Sequence, residues 1–285
     1  MRTPLWLART VDHIVSNCMD KGEHGGGNPA SAYEDPRIQE FLATFREKNP
    51  LQSRLAEQEA QHSLYNFVWD RLRMVRAEYR MQGYNSVDRR VSDSCIVAHE
   101  RIARWYVLMG TRMADNPAFV RAFNSKAIVE TLKLLCDFYA ILSSRGNVSG
   151  GLASPSEPEM LALYLLAVSE RDGGQEMNRV VQGLHAGKRQ DVLKSPELTG
   201  VRAVLRAWRS NEYVTFFRLI PQQGMMQRCL LLPYVKKMRD SAIEIIAGSF
   251  VDMSLSKLKR MLGFGNDAEA MAFCTAYGLT VAGDE

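Results

Sequence analysis

Apolar residues recur along this chain every three or four positions, and strict alternation is nearly absent until its last residues. That period predicts amphipathic helices at Pro4–Met19, Pro36–Lys48, Leu51–Met81, Val87–Arg112, Lys126–Ser143, Pro158–Glu170, Met177–Gly183, Lys188–Lys194 and Glu197–Arg209. Glycine, proline and serine interrupt the period twice, so loops are expected near 21–36 and 143–157. The first of these is either a natural loop or an artificial join; composition leaves both open. In the second, Ser156 is placed to cap the next helix, with Pro158 and Glu159 in its first turn. Consecutive amphipathic helices with short connections form hairpins, and stacked hairpins form a solenoid. Residues 1–224 read as such a helical solenoid, one without a strict repeat.

After residue 224 the pattern changes. Met226–Ala247 reads as one long helix with Pro233 inside it, which implies a kink or local rearrangement. Phe250-Val251-Asp252-Met253 follows as a short extended piece, then a helix Leu255–Leu262, a turn at Gly263–Gly265 and a helix Asp267–Tyr277. Gly278 serves as C-cap, and Leu279-Thr280-Val281 reads as a short strand. Strand, helix, turn, helix, strand is the order of a winged helix. No returning strand follows Ala282-Gly283-Asp284, so the wing is expected to be cut short. The fold class is therefore all-α with a small winged-helix end, residues 225–285 forming the linking helix and winged-helix part.

Within the third of these helices, FVWDRLRMVRAEYRMQ (67–82) carries an apolar stripe beside a basic one. Val68, Leu72, Val75 and Tyr79 share one face; Trp69, Arg73, Arg76 and Arg80 share the next, and Asp70 and Arg71 belong to the same segment. The arginines either pair with Asp70, Glu78 and acids of a neighbouring helix or meet an external partner.

Charge sharpens the picture only locally. The 285 residues carry a formal net charge of +4, but residues 201–260 hold eleven Lys/Arg against four Asp/Glu, and 261–285 hold four acids and no base. A basic block of this kind suits a polyanion or an acidic partner, or is a solvated face. Within it, Lys236, Lys237 and Arg239 cluster on the long helix, and Lys257, Lys259 and Arg260 on the next. Such clusters support phosphate contacts that are salt-sensitive and blind to sequence. The following helix opens Asn266-Asp267-Ala268-Glu269, where acid repels phosphate, so base reading in the major groove is not expected.

Catalytic and metal motifs fail on spacing. His99-Glu100 opens like a zinc-protease motif, but Ala103 stands where the second histidine is needed, which leaves a buried or partner-facing histidine. Gly183 to Arg189 is too short for a phosphate loop, and Arg189 replaces the magnesium-binding hydroxyl. Gly25-Gly26-Gly27 lacks the strand before and helix after that a dinucleotide site requires. No GxSxG occurs, and the five histidines fall in five segments. The expectation is a protein that is not an enzyme, with no cofactor and no metal. Cysteines 18, 95, 136, 229 and 274 are scattered without a CxxC pair, which argues for reduced thiols inside a cell. The N-terminal apolar run is too short for a signal peptide, and no run of about 18 apolar residues occurs to span a membrane.

The 67–82 segment resembles the arginine-rich signature of the SAC/GANP family, the germinal-centre-associated nuclear protein group. Further blocks follow in family order: RTPLWLARTVDHIV, AHERIARWYVL, FNSKAIVETLKLLCDFY, SPSEPEMLALYLL, SNEYVTFFRLI, CLLLPYVKKMRDSAIEII and AMAFCTAYGLTV. The resemblance implies a PCI-type fold, a solenoid resembling tetratricopeptide repeats that ends in a winged helix. It implies a scaffold subunit of the nuclear complex that couples transcription to mRNA export at the pore. It also implies pairing, winged helix beside winged helix, with a second PCI protein that is held by a small acidic disordered subunit. The joint surface would bind RNA or DNA without sequence preference, and no membrane is involved. The phenylalanine-glycine repeats and the centrin-binding helix of the family are absent from this sequence, so export-receptor and centrin binding are not expected of it. A purely architectural PCI subunit, as in the proteasome lid, signalosome or initiation-factor assemblies, is the second reading.

Overall fold

The computed structural model describes residues 3–19, 50–83, 93–144, 152–171 and 174–280. All regular elements among them are helical, and they fall into two compact units, Met1–Met160 and Leu161–Glu285. No described helix is long and apolar enough to cross a membrane.

In the first unit the 3.6-residue stripes become the core. Helix α1 (Pro4–Met19) packs on α2 (Pro50–Met81) and on α3 (Asp93–Arg112), and α3 packs on α4 (Arg121–Ser144). The stripe Val68, Leu72, Val75 and Tyr79 of α2 is buried, as its spacing predicts, against a core that includes Leu7, Ile102, Tyr106, Leu132 and Phe138. Each such side chain contributes roughly 1.5–3 kcal/mol on burial. Several polar atoms carried inward are paired. The Tyr79 hydroxyl donates to the Pro4 carbonyl at 2.9 Å, and the Asn124 amide donates to the Tyr106 carbonyl at 2.9 Å. Tyr65 donates to Asn124 at 3.2 Å and stacks on Trp105 with centroids 5.5 Å apart.

A buried carboxylate ties α3 to the segment before helix α5 (Glu157–Val168). Glu100, 4% exposed, accepts hydrogen bonds from Tyr139 at 2.8 Å and from Ser154 at 2.6 Å. One turn later Arg104 donates to Ser156 at 2.8 Å and to both carboxylate oxygens of Glu159 at 3.2 and 3.3 Å. The expected cap residue is in place. Ser156 stands at the N-cap position of α5, but its hydroxyl receives Arg104, while Glu157 reaches back to accept from the Ala153 amide at 2.8 Å.

In the second unit α5 is followed by α6 (Gln175–Ala186), a single turn α7 (Gln190–Leu193), α8 (Pro196–Arg209), α9 (Tyr213–Leu219), a 3₁₀ turn at Ile220–Gln222, α10 (Met225–Ser249), α11 (Leu255–Leu262) and α12 (Asp267–Ala276). The apolar run Met160–Leu166 leaves α5 buried on every side. Tyr234 of α10 donates to the Leu166 carbonyl at 2.9 Å and lies edge-on to Trp208 of α8, 5.2 Å away. Helix α9 packs against α8, α10 and α11 through buried Phe216 and Phe217. Ser195 caps α8, accepting from the Leu198 amide, with Pro196 at the first helical position.

Several boundaries differ from the pattern read along the chain. The expected helix Pro36–Lys48 and the glycine loop lie outside the described residues, as do residues 87–92 of the expected helix Val87–Arg112. Helix α4 begins five residues before Lys126, because Asn124 is bonded inside the core rather than marking a loop. Helix α6 outlasts Gly183, whose surroundings are open, and α7 is a single turn because Lys188, at φ 53°, turns the chain left-handed just before it. Helix α9 was not expected: its aromatic and β-branched residues favour strands, and tertiary burial overrides that preference. Helix α10 runs unbroken through Pro233, which is exposed, so the backbone bond it forfeits faces solvent. Phe250–Met253, Leu279 and Thr280 form no strand, since extended backbone becomes one only by pairing and no partner lies among the described residues; Val281 lies outside them. Gly278 caps α12 as expected, at φ 71°, with the Leu279 amide donating to the Cys274 carbonyl.

Candidate nucleic-acid interface

The six basic residues singled out on α10 and α11 have different surroundings. Arg239 is half-buried: it donates to the carbonyls of Leu262 at 3.1 Å and Gly263 at 2.8 Å, which end α11, and its guanidinium lies 3.9 Å from the Phe264 ring centroid. Burial pulls its pKa down from the usual arginine value. Gly263 makes this close packing possible. Its φ is 63°, and a Cβ there would come within 2.9 Å of the Phe217 ring. Arg239 therefore holds the end of α11 against α10, supplying cation to the negative end of that helix.

Lys237 pairs with Glu170 at 2.6 Å and Lys259 with Asp267 at 2.8 Å. Lys257 is exposed with its ammonium 5.2 Å from the Phe250 ring centroid. Lys236 and Arg260 are exposed and make no hydrogen bond or ion pair with a described residue. The sequence clusters thus divide into one structural arginine, two paired lysines, and three cations (Lys236, Lys257 and Arg260) available to an anion. Tyr277 donates to Asp240 at 2.7 Å and fastens the end of α12 to α10.

Replacing Arg239 by glutamine is expected to destabilise the α11–α12 pair by about 1–2 kcal/mol, because two carbonyls lose a charged donor that is half exposed. Hydrogen exchange of the α11 and α12 amides reads this out, and Arg260→Gln should leave the same amides unchanged.

The arginine helix α2 settles largely into internal pairing. Arg73 pairs with Asp70 at 3.0 Å, and Arg76 reaches Glu130 of α4 at 3.5 Å with Tyr106 beneath it. Arg71 lies over Phe67, 5.3 Å from its centroid; Arg80 is exposed; Trp69 is half-buried against Arg73. The sequence favours pairing over an external partner, and for Arg73 and Arg76 the geometry is pairing.

His99 is wholly buried. Its Nδ1–H donates to the Cys95 carbonyl at 2.7 Å, its ring lies between Tyr79 and Phe138, and its Nε2 has no partner. Burial, opposed by the Cys95 bond and assisted by Arg76, lowers its pKa to about 4. The neighbouring Cys95 thiol is pushed up to about 12 by burial, so it is not a nucleophile at neutral pH. No group of three His, Cys, Asp or Glu among the described residues is placed to hold a metal.

Helices packed into two units, with cations at the end of the second, define an all-helical module. The sequence pattern of the SAC3/GANP family matches residues 50–283. The chain belongs to that family, which is associated with mRNA export. It is similar to SAC3 family protein 1 of Schizosaccharomyces pombe, 24% identical over 245 residues, which is 76% of this chain and 22% of that protein. It is also similar to SAC3 family protein B of Arabidopsis thaliana (23% over 185 residues, 63% and 10%) and to Protein xmas of Drosophila melanogaster (22% over 230 residues, 76% and 10%). The chain thus spans between a tenth and under a quarter of the length of these relatives.

Proposed function

We propose that this chain is the PCI core of a nuclear mRNA-export scaffold, non-catalytic, which pairs with a second PCI protein and binds RNA or DNA through charge. The family match over residues 50–283 carries the reading. In it, residues 1–224 are the solenoid, and 225–285 are the linking helix and a winged-helix end to which α11, Gly263 and α12 contribute. Exposed Phe250, Val251, Met271 and Tyr277 at that end suit an apolar protein interface. The second PCI protein would bring the small acidic subunit with it, and the complex would work in the nucleus at the pore. Lys236, Lys257 and Arg260 supply the phosphate contacts; Lys237, Arg239 and Lys259 contribute less because they are engaged within the fold.

Charge reversal of Lys236, Lys257 and Arg260 to glutamate is expected to weaken RNA binding about tenfold at low salt. It should also flatten the plot of log affinity against log salt by about 2–3, since each phosphate contact contributes about 0.9 to the slope. Fluorescence anisotropy with the chain alone and with a PCI partner measures both. An unchanged affinity and slope in both states favours the purely architectural reading, to which the exposed apolar residues at the same end also point.

A further inference from the structure

Helix α8 carries a basic stripe that neither the sequence clusters nor the interface above uses. Arg202, Arg206 and Arg209 stand four and three residues apart, which on an α-helix puts them in one row spanning about 10 Å. The row runs along the flank of the face that buries Leu198, Val201, Val204 and Leu205; Arg206 and Arg209 are exposed and Arg202 half-buried. The residues sharing their side, Thr199 and Ala203, are uncharged. Arg202 and Arg206 make no hydrogen bond or ion pair with a described residue, and Arg209 has only the Met177 thioether, 3.8 Å away, which leaves its charge uncompensated.

Arg206 and Arg209 stand in the last turn of α8, where cations favour the helix dipole, but the row also carries a repulsion of its own. Like charges at i, i+3 and i, i+4 repel by roughly 0.2–0.5 kcal/mol a pair, where a glutamate at the same spacing would attract. Residue 206 has an arginine at both i−4 and i+3. The device makes sense if an anion from outside completes it, and guanidinium forks are suited to phosphate oxygens. The small residues between the arginines offer no apolar anchor, which an acidic amphipathic helix would need and a phosphate backbone would not.

We propose that Arg202, Arg206 and Arg209 form a second phosphate-binding track for single-stranded nucleic acid. This rests on the nucleic-acid reading above and extends it from α10 and α11 to α8. The packing supports the extension: α8 and α11 both pack against the short helix α9, whose Arg218 is exposed. With helices in contact about 8–10 Å apart, the two sets of cations lie on the order of 20 Å from each other. At about 3.4 Å per stacked nucleotide, about six nucleotides reach from one set to the other, so a 16-mer covers both sets whole while a 6-mer reaches across only end to end.

The test uses the whole chain, a fluorescent 16-nucleotide single-stranded RNA and a 6-nucleotide one, over a salt series. Three variants are compared with the parent: Arg202→Gln, Arg206→Gln and Arg209→Gln together; the Lys236, Lys257 and Arg260 reversal; and both sets combined. The track predicts that the glutamine triple weakens the 16-mer about tenfold and makes the salt slope shallower by about 2–3. It should lose the affinity advantage of the 16-mer over the 6-mer while its unfolding midpoint holds or rises as repulsion is relieved. Loss of binding by the Lys236 set with an unaffected glutamine triple overturns the track and keeps the interface at α10 and α11. Loss in the glutamine triple alone supports the track and removes that interface. No effect in any variant overturns both, and a triple that binds RNA normally but loses binding to a labelled polyglutamate probe overturns the track alone and assigns the stripe to an acidic protein partner.

Discussion

Replacing Glu100 by alanine is expected to cost about 3–5 kcal/mol of stability, a large share of the 5–15 kcal/mol that holds a typical domain. The carboxylate is the acceptor for two buried hydroxyls, Tyr139 and Ser154. Orphaning a buried donor costs about 1–3 kcal/mol each, and the missing side chain leaves a void beside them. Tyr139 also loses the bond that, after burial, holds its phenol pKa well above the ordinary value. Glu100→Gln keeps one carbonyl acceptor and should cost about 1 kcal/mol. Urea unfolding followed by circular dichroism separates the variants, with the melting temperature of the alanine form falling by about 10 °C. Equal midpoints for alanine and glutamine would refute the acceptor role and leave Glu100 as mere filling.

Stability should also fall steeply as the solution is acidified from pH 6.5 to 4, and His99 should account for much of it. In the unfolded chain a histidine titrates near 6.5; in the fold His99 titrates at about 4 because burial disfavours its charged form. Between those values the unfolded state holds the extra proton. His99 therefore contributes its full stability above pH 6.5, loses it as pH falls through the window, and has lost on the order of 3 kcal/mol by pH 4. Titration of carboxylates adds its own slope at the acid end, so the informative quantity is a difference between proteins. His99→Phe keeps a ring between Tyr79 and Phe138 but cannot take up a proton, and its urea midpoint should vary less between pH 6.5 and 5 than the parent's. Parallel midpoints for the two proteins would show that His99 is not the titrating group.

The sequence carried the long helices because their periods are long. Val68, Leu72, Val75 and Tyr79 repeat over three turns, and every one is buried. Gly278 was legible as a cap because cap chemistry is local; Asn266, which accepts from the Glu269 amide at 2.8 Å, carries the same kind of signal but was read only for the acids that follow it. Helix α9 was not legible, since seven residues give too short a period to outweigh the strand preference of tyrosine, valine, threonine and phenylalanine. The candidate site was legible as a basic block but not as a list of roles. Arg239 and Arg260 look alike in sequence, yet one meets the carbonyl end of another helix 23 residues on and the other meets solvent. The Glu100 acceptor was hidden for the same reason: its two donors stand 39 and 54 residues away. Pairings at that separation leave no periodic trace.

The seat of Arg239 also has a mechanical meaning. One guanidinium grips the last carbonyls of α11 and lies against Phe264, while Tyr277 holds Asp240, the next residue of α10. A load applied to the terminal helices therefore passes through both attachments into neighbouring residues near the middle of a 25-residue rod, and not only through the linker at Phe250. A pull on that end would be transmitted sideways into the frame of the second unit.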